Sequence, residues 1–175
     1  SNKGWLKANS FDAGASVMAS SASLTASDPN IANYIWYVEK QSDGSITIAN
    51  GGKTAAWAAP FRGAKKLVAY GSKANLYLHS EAITLGGKTA TANEGSFLLS
   101  NVETVSDANA HALVHESGGE LGSWTDANPA SVFMVEFYPI EESTLTYGWI
   151  VNYVYTLSGA SSTMTKTVPV LDGAI

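Results

Sequence analysis

Apolar and polar residues alternate in short bursts along this chain, and nowhere do they hold a helical period for long. Runs rich in Ile, Val, Tyr, Trp and Thr recur at Tyr34–Glu39, Ser45–Ala49, Lys66–Tyr70, Leu76–His79, Ser96–Leu99, Ala112–His115 and Val132–Tyr138. Clusters of Gly, Asn, Asp and Ser separate them, so the pattern predicts many short strands joined by turns. The stretches Ala13–Ala26 and Thr104–Leu113 have the most helix-like composition, yet neither keeps an apolar stripe at i, i+3 and i+4. An all-β sandwich, barrel or trefoil is the expectation.

A repeat narrows that choice. Gly44-Ser-Ile-Thr-Ile-Ala-Asn50 returns 51 residues later as Gly95-Ser-Phe-Leu-Leu-Ser-Asn101. A second phrase, Asp28 to Glu39, returns as Asp126 to Glu136, sharing Asp-x-Asn and aromatic-x-Val-Glu, 97–98 residues on. Ser72–His79 supplies a weaker middle copy. One period near 49 accounts for both phrases and gives three copies in about 140 residues. The expected fold is therefore a β-trefoil over residues 1–141, followed by a β-hairpin segment over residues 142–175.

Carried backward, the register sets Asn2 level with Asn50 and Asn101, and Asn2–Leu6 level with Lys53–Trp57 and His111–Val114. The strand equivalent to Ser45–Ala49 would then precede Asn2. It is expected either outside this chain, as in a piece of a longer protein, or from another segment. Four strands per copy cannot bury their apolar face alone, whereas three copies around a pseudo-threefold axis share one core. The expected core is Leu6, Ile35, Trp36, Ile46, Ile48, Leu67, Leu76, Leu78, Phe97, Leu99, Leu113, Val132, Phe133 and Val135. Each large side chain buried there contributes about 1.5–3 kcal/mol before entropy is counted.

Thr144–Leu157 follows a different rule. Leu145, Tyr147, Trp149, Val151, Tyr153, Tyr155 and Leu157 take every second position, which predicts one long strand with an aromatic face. A turn at Ser158–Ser162 sends the chain back through Thr163–Leu171. A lone two-stranded hairpin is marginal in water, so it is expected to pack on the preceding domain or a following one.

Composition sets limits on function. The chain has 175 residues, enough for a core without staples, and its charged fraction of 14% is low. Net charge is −5 with only 10 Lys and Arg and no run of them, which argues against a nucleic-acid partner. The absence of cysteine removes thiolate metal sites, Cys nucleophiles and disulfides together. No segment has the ~18 consecutive apolar residues of a membrane helix.

Ile35–Glu39, Gly44–Asn50 and Asp126–Glu136 resemble the ricin-type β-trefoil modules found beside glycoside hydrolase domains in secreted enzymes of gut bacteria. The resemblance covers nearly the whole chain in short patches. It implies a non-catalytic, carbohydrate-binding-like accessory module of a larger secreted or cell-surface bacterial protein, with a glycan and neighbouring domains as partners. No cofactor is implied. Tyr34-Ile35-Trp36 and Ser131-Val132-Phe133 stand where the family carries Gln-x-Trp. That departure favours the alternative, a structural spacer or protein-interaction module without sugar binding.

The residues offer little for catalysis. His79, His111 and His115 have no third ligand at a metal-site spacing and suit structural roles better. Glu39 and Glu136 are equivalent repeat positions, and a threefold fold would hold them too far apart for the paired carboxylates of glycoside hydrolysis. Gly51-Gly-Lys-Thr54 lacks the first glycine of a phosphate loop and reads as a turn. Sugar binding instead needs an aromatic plate for the apolar ring face and polar groups to fix hydroxyls. Trp124 with Asp126 and Asn128 is the best such cluster, because a Trp in a Gly- and Ser-rich loop has no obvious core partner. Trp57 with Arg62 is second, and Trp5 with Asn9 and Asp12 third.

Overall fold

The strand-rich runs become strands, and none of the Ala-rich stretches becomes an α-helix among the described residues. The computed structural model describes residues 4–20, 29–59, 63–139, 148–157 and 160–169. In chain order the first half holds β1 (Trp5–Ala8), β2 (Val17–Ser20), β3 (Trp36–Lys40), β4 (Ile46–Asn50), β5 (Ala55–Trp57), β6 (Gly63–Ala64), β7 (Leu67–Ala69) and β8 (Tyr77–His79). The second half holds β9 (Ile83–Leu85), β10 (Lys88–Ala90), β11 (Phe97–Ser100), β12 (Val114–Ser117), β13 (Glu120–Ser123), β14 (Met134–Val135), β15 (Gly148–Leu157) and β16 (Ala160–Pro169). The protein is all-β, and every named pairing is antiparallel. The stretch from Thr104 to Leu113 holds only a 3₁₀ turn, Asp107–Asn109. Its start is closed by the Asn109 side chain, whose Oδ1 accepts the Ser106 N–H at 2.7 Å.

The chain divides into two compact units, Ser1–Phe137 and Tyr138–Ile175. In the first, three hairpins meet one another: β1–β2, β5–β7 and β12–β13. Met18 pairs with Glu120, Ala64 with Gly122, and Ser16 bridges to Lys66, so β2, β13 and the β6–β7 stretch are mutual neighbours. A second series runs β3–β4–β8–β11–β14, joined by β3–β4, the Ile46↔Leu76 bridge, β8–β11 and the Phe97↔Val135 register. Between β8 and β11 the chain inserts the small hairpin β9–β10.

Apolar residues separate into two cores, and β11 stands between them. Leu99 joins Ile46, Ile48, Trp57, Leu67, Leu76, Val114 and Leu121 in the larger one. Leu98, its neighbour in sequence, joins Ile83, Leu85, Leu113, Ala127 and Val132 in the smaller one. Successive strand residues point to opposite faces, so one strand serves both. In β4 the residue before Ile48 is Thr47, buried but polar, and it receives a 3.4 Å hydrogen bond from Gln41 Nε2 instead of roofing a second core.

Of the expected core residues, Ile46, Ile48, Leu67, Leu76, Leu99, Leu113, Val132 and Val135 are buried. Leu6, Trp36, Leu78 and Phe133 pack partly buried against the main core. Ile35 and Phe97 are half-buried, with Phe97 tilted against Phe137 at 6.5 Å. In the second unit, β15 and β16 form one long antiparallel ladder, from Gly148↔Pro169 to Leu157↔Ala160.

Candidate functional site

The loop after β13 is built by its own polar side chains. Asp126 Oδ1 accepts from the Asn128 backbone N–H at 3.2 Å, and Asn128 Oδ1 accepts from that of Ala130 at 3.2 Å. Two successive Asx turns therefore shape the segment. The Ser131 and Val132 amides then close on the Asn128 carbonyl at 3.0 and 2.9 Å. Asn128, expected as a ligand contact, spends its side-chain oxygen on this turn.

The β9–β10 hairpin anchors that loop from the other side. Ala127 N donates to Leu85 O at 2.9 Å, and both side chains belong to the smaller core. Gly86 and Gly87 turn the hairpin with φ of +58° and +72°, the left-handed backbone that a two-residue type I′ turn requires. A side chain at Gly86 would come within 2.7 Å of the Thr125 carbonyl and 2.8 Å of Asp126 Cβ. The turn thus fits directly against the loop. One residue further, Lys88 Nζ donates to Asp126 Oδ2 at 2.8 Å. Lys88 keeps 48% of its side chain exposed and Asp126 keeps 30%, so both stay within reach of solvent. The hydrogen bond from Lys88 holds the Asp126 carboxyl below its ordinary pKa.

Beneath the loop lies His115, fully buried on β12. Its Nδ1 pairs with Ser131 Oγ at 3.1 Å, and its Nε2 has no hydrogen-bond partner among the described residues. Burial pushes its pKa below the usual imidazole value, against the opposing pull of nearby Asp126. The imidazole supports Trp124, with ring centres 5.1 Å apart, and Trp124 itself is 41% exposed. Trp124 and Asp126 stand two residues apart on one loop and both lie near the His115 ring, so an exposed indole shares that loop with a carboxylate and its ammonium partner.

The other predicted candidates fall elsewhere. Trp57 is fully buried in the main core, edge-on to Trp36 at 5.8 Å, so no ring face is open to a ligand. Arg62 lies outside the described residues. Trp5 is 42% exposed at the edge strand β1, while Asn9 turns its amide to Met18 Sδ at 3.5 Å. His111 sits in a turn with φ +75°, ahead of the strand β12 that carries His115. Among the described residues no three His, Asp or Glu side chains gather as a metal site.

Lys88 beside Asp126, and His115 with Ser131 beneath the loop, complete the surroundings of Trp124, and none of them was expected there from sequence. Lys88 had a visible cue in Gly86-Gly87 between Ile83-Thr-Leu85 and Lys88-Thr-Ala90, a hairpin signature. The support of Trp124 by His115 has no such cue, because it joins residues on different elements. No protein-family model, curated protein or solved structure matches this chain.

Proposed function

We propose that the chain is a β-trefoil module of the ricin type that binds carbohydrate without chemistry of its own, within a larger secreted or cell-surface bacterial protein. Three pieces of geometry support the trefoil. Gly44 and Gly95 hold the same left-handed backbone, φ +85° and +78°, ahead of buried Ser45 and Ser96. Ala49 and Ser100, 51 residues apart, each pair with a tyrosine from an earlier strand, Tyr37 and Tyr77, so the two repeated strands take antiparallel partners of the same kind although those partners are 40 residues apart. The three hairpins β1–β2, β5–β7 and β12–β13 converge as the cap of such a fold would.

The observation that supports sugar binding is the exposed indole of Trp124 beside the Lys88–Asp126 pair. An indole face covers the C–H face of a pyranose, and a charged pair in reach of solvent orients its hydroxyls. Shallow sites of this kind bind weakly and serve by holding a neighbouring catalytic domain close to its substrate. Calorimetric titration against host and plant glycans, with Trp124→Ala as control, tests the reading. Saturable heat with the parent chain and none with the variant supports it; no heat with any glycan refutes it.

The spacer reading rests on Trp36. That indole donates its N–H to Leu6 O at 3.2 Å and stacks edge-on with Phe11 and Trp57, so it serves packing rather than a ligand. A module whose aromatic plate at this site is Trp124 alone is one lost residue away from losing the site.

A further inference from the structure

We propose that the Trp124 surface selects a neutral pyranose, held through two adjacent hydroxyls on the Lys88–Asp126 pair, and discriminates against acidic and amino sugars. This rests on the carbohydrate reading above and goes further by naming the ligand class.

The two groups that would meet a ligand are each other's counter-ion. Lys88 Nζ and Asp126 Oδ2 stand 2.8 Å apart, so the pair itself presents a dipole rather than a net charge. An ammonium has three N–H donors, and Asp126 takes one of Lys88's. Asp126 Oδ1 is occupied by the Asn128 amide, but Oδ2 can accept a second hydrogen bond. A donor and an acceptor side by side complement a vicinal diol, in which one hydroxyl accepts from Lys88 while its neighbour donates to Asp126. The pair stays intact while the diol binds.

Charged sugars meet a penalty at the same atoms. A uronate could reach Lys88 only by setting its carboxylate against Asp126, and an amino sugar could reach Asp126 only by setting its ammonium against Lys88. Like-charge juxtaposition of this kind excludes wrong partners. The placement leaves little room for the pair to part. Asp126 is held by the Asn128 amide and by the seat of Ala127 on Leu85, and Lys88 follows a turn whose Gly86 N–H donates to Asp107 Oδ1 at 2.7 Å. Asp126 cannot swing away without disturbing its loop, and the Lys88 stem rises from a turn that keeps its ammonium within reach of that carboxylate.

The experiment is calorimetric titration of the chain with cellotetraose, mannotetraose and galactotetraose as neutral probes, tetragalacturonate as the acidic probe and the chitosan tetramer as the cationic one. The titrations are repeated with Lys88→Met and Trp124→Ala, both first checked for an unchanged thermal midpoint. At least one neutral tetramer binds at least tenfold more tightly than either charged probe, with an affinity that barely changes between low and high salt. Lys88→Met weakens it about tenfold, and Trp124→Ala abolishes it. If tetragalacturonate or the chitosan tetramer binds as tightly as the best neutral probe, and Trp124→Ala abolishes that binding, the charge selection is wrong and the carbohydrate reading stands. If none of the five binds, or if binding ignores Trp124→Ala, both fall.

Discussion

The imidazole of His115 lies 5.1 Å from the indole of Trp124, one ring fully buried and the other 41% exposed. A buried aromatic ring beneath an exposed one limits how far the exposed ring can tilt, which would lower the ordering cost of the proposed binding. His115→Ala removes that support and opens a cavity, and is expected to cost on the order of 3 kcal/mol in urea unfolding. His115→Phe keeps the volume and recovers most of it. The pH dependence has a definite sign. Burial holds His115 and His79 below the ordinary imidazole value of 6.5, so below that pH the unfolded chain takes up protons the native chain refuses. The part of stability these two histidines govern is therefore present above about pH 6.5 and is lost as the pH falls toward their native values. Thermal midpoints measured from pH 7.5 to pH 5 are expected to fall, and to fall less steeply in His115→Phe. An unchanged slope in that variant sinks the assignment.

Lys65 presents the same logic on the basic side. Its side chain is 2% exposed, donates to Ala58 O at 2.9 Å and lies 5.9 Å from the Trp57 ring centre. Burial alone pulls its pKa from 10.5 to about 7. Below pH 7 the native state bears the full cost of a buried ammonium. Between pH 7 and 10.5 the native amine is neutral while the unfolded one is still charged, so stability rises with pH across that window. Lys65→Met keeps the stem and discards the charge. It is expected to stabilise the chain by about 2 kcal/mol or more at pH 7, with the gain shrinking toward pH 10. Urea midpoints at pH 6, 7, 8.5 and 10 check this, and a variant less stable than its parent at pH 6 contradicts it.

The larger pattern was legible because it is local. Five consecutive buried residues in β4 come from Ile46-Thr-Ile-Ala-Asn50, a β-favouring run closed by a turn, and the same signal marks β11. The β9–β10 hairpin is marked in the sequence by its Gly86-Gly87 turn alone, because each of its strands is three residues long, too short for alternation to speak. The site was half legible. Trp124 betrayed itself by standing in a polar loop, but His115 lies 9 positions from it and Lys88 lies 38 from Asp126, and only folding joins Lys88 to Asp126 or His115 to Trp124. Trp57 misled for a related reason: Ala55-Ala56-Trp57 is buried throughout, so alternation could not show that the indole turns inward.

Gly86 and Gly87 separate two costs that usually come together. Both have positive φ, but a Cβ at Gly86 strikes Thr125 O and Asp126 Cβ, whereas one at Gly87 meets open space. Gly87→Ala is expected to cost about 1 kcal/mol, the backbone strain alone. Gly86→Ala adds the clash and displaces the loop holding Trp124 and Asp126, so it costs at least twice as much. Denaturant midpoints for the two variants, measured side by side, decide the point. Equal losses would mean the turn does not set the loop.

Asn50 and Asn101 close corresponding strands, yet their side chains do different jobs. Asn50 Oδ1 accepts from the Thr54 and Ala55 amides at 2.8 and 3.0 Å, and its Nδ2 donates to Thr54 Oγ1 at 2.9 Å. Asn101 Oδ1 is buried with no hydrogen-bond partner among the described residues. A longer connection separates it from β12, from Val102 to Leu113, so no amide follows four residues on to cap it. Removing a buried group that satisfies others strands its partners, at about 1–3 kcal/mol, while removing one that is itself unsatisfied costs little. Asn50→Ala is accordingly expected to lose about 2 kcal/mol or more in urea unfolding, and Asn101→Ala less than about 1 kcal/mol. A shared sequence position would then have kept its residue while losing the contacts that justify it. A loss at Asn101 as large as that at Asn50 would show that its carboxamide bonds in solution in a way the structure does not contain.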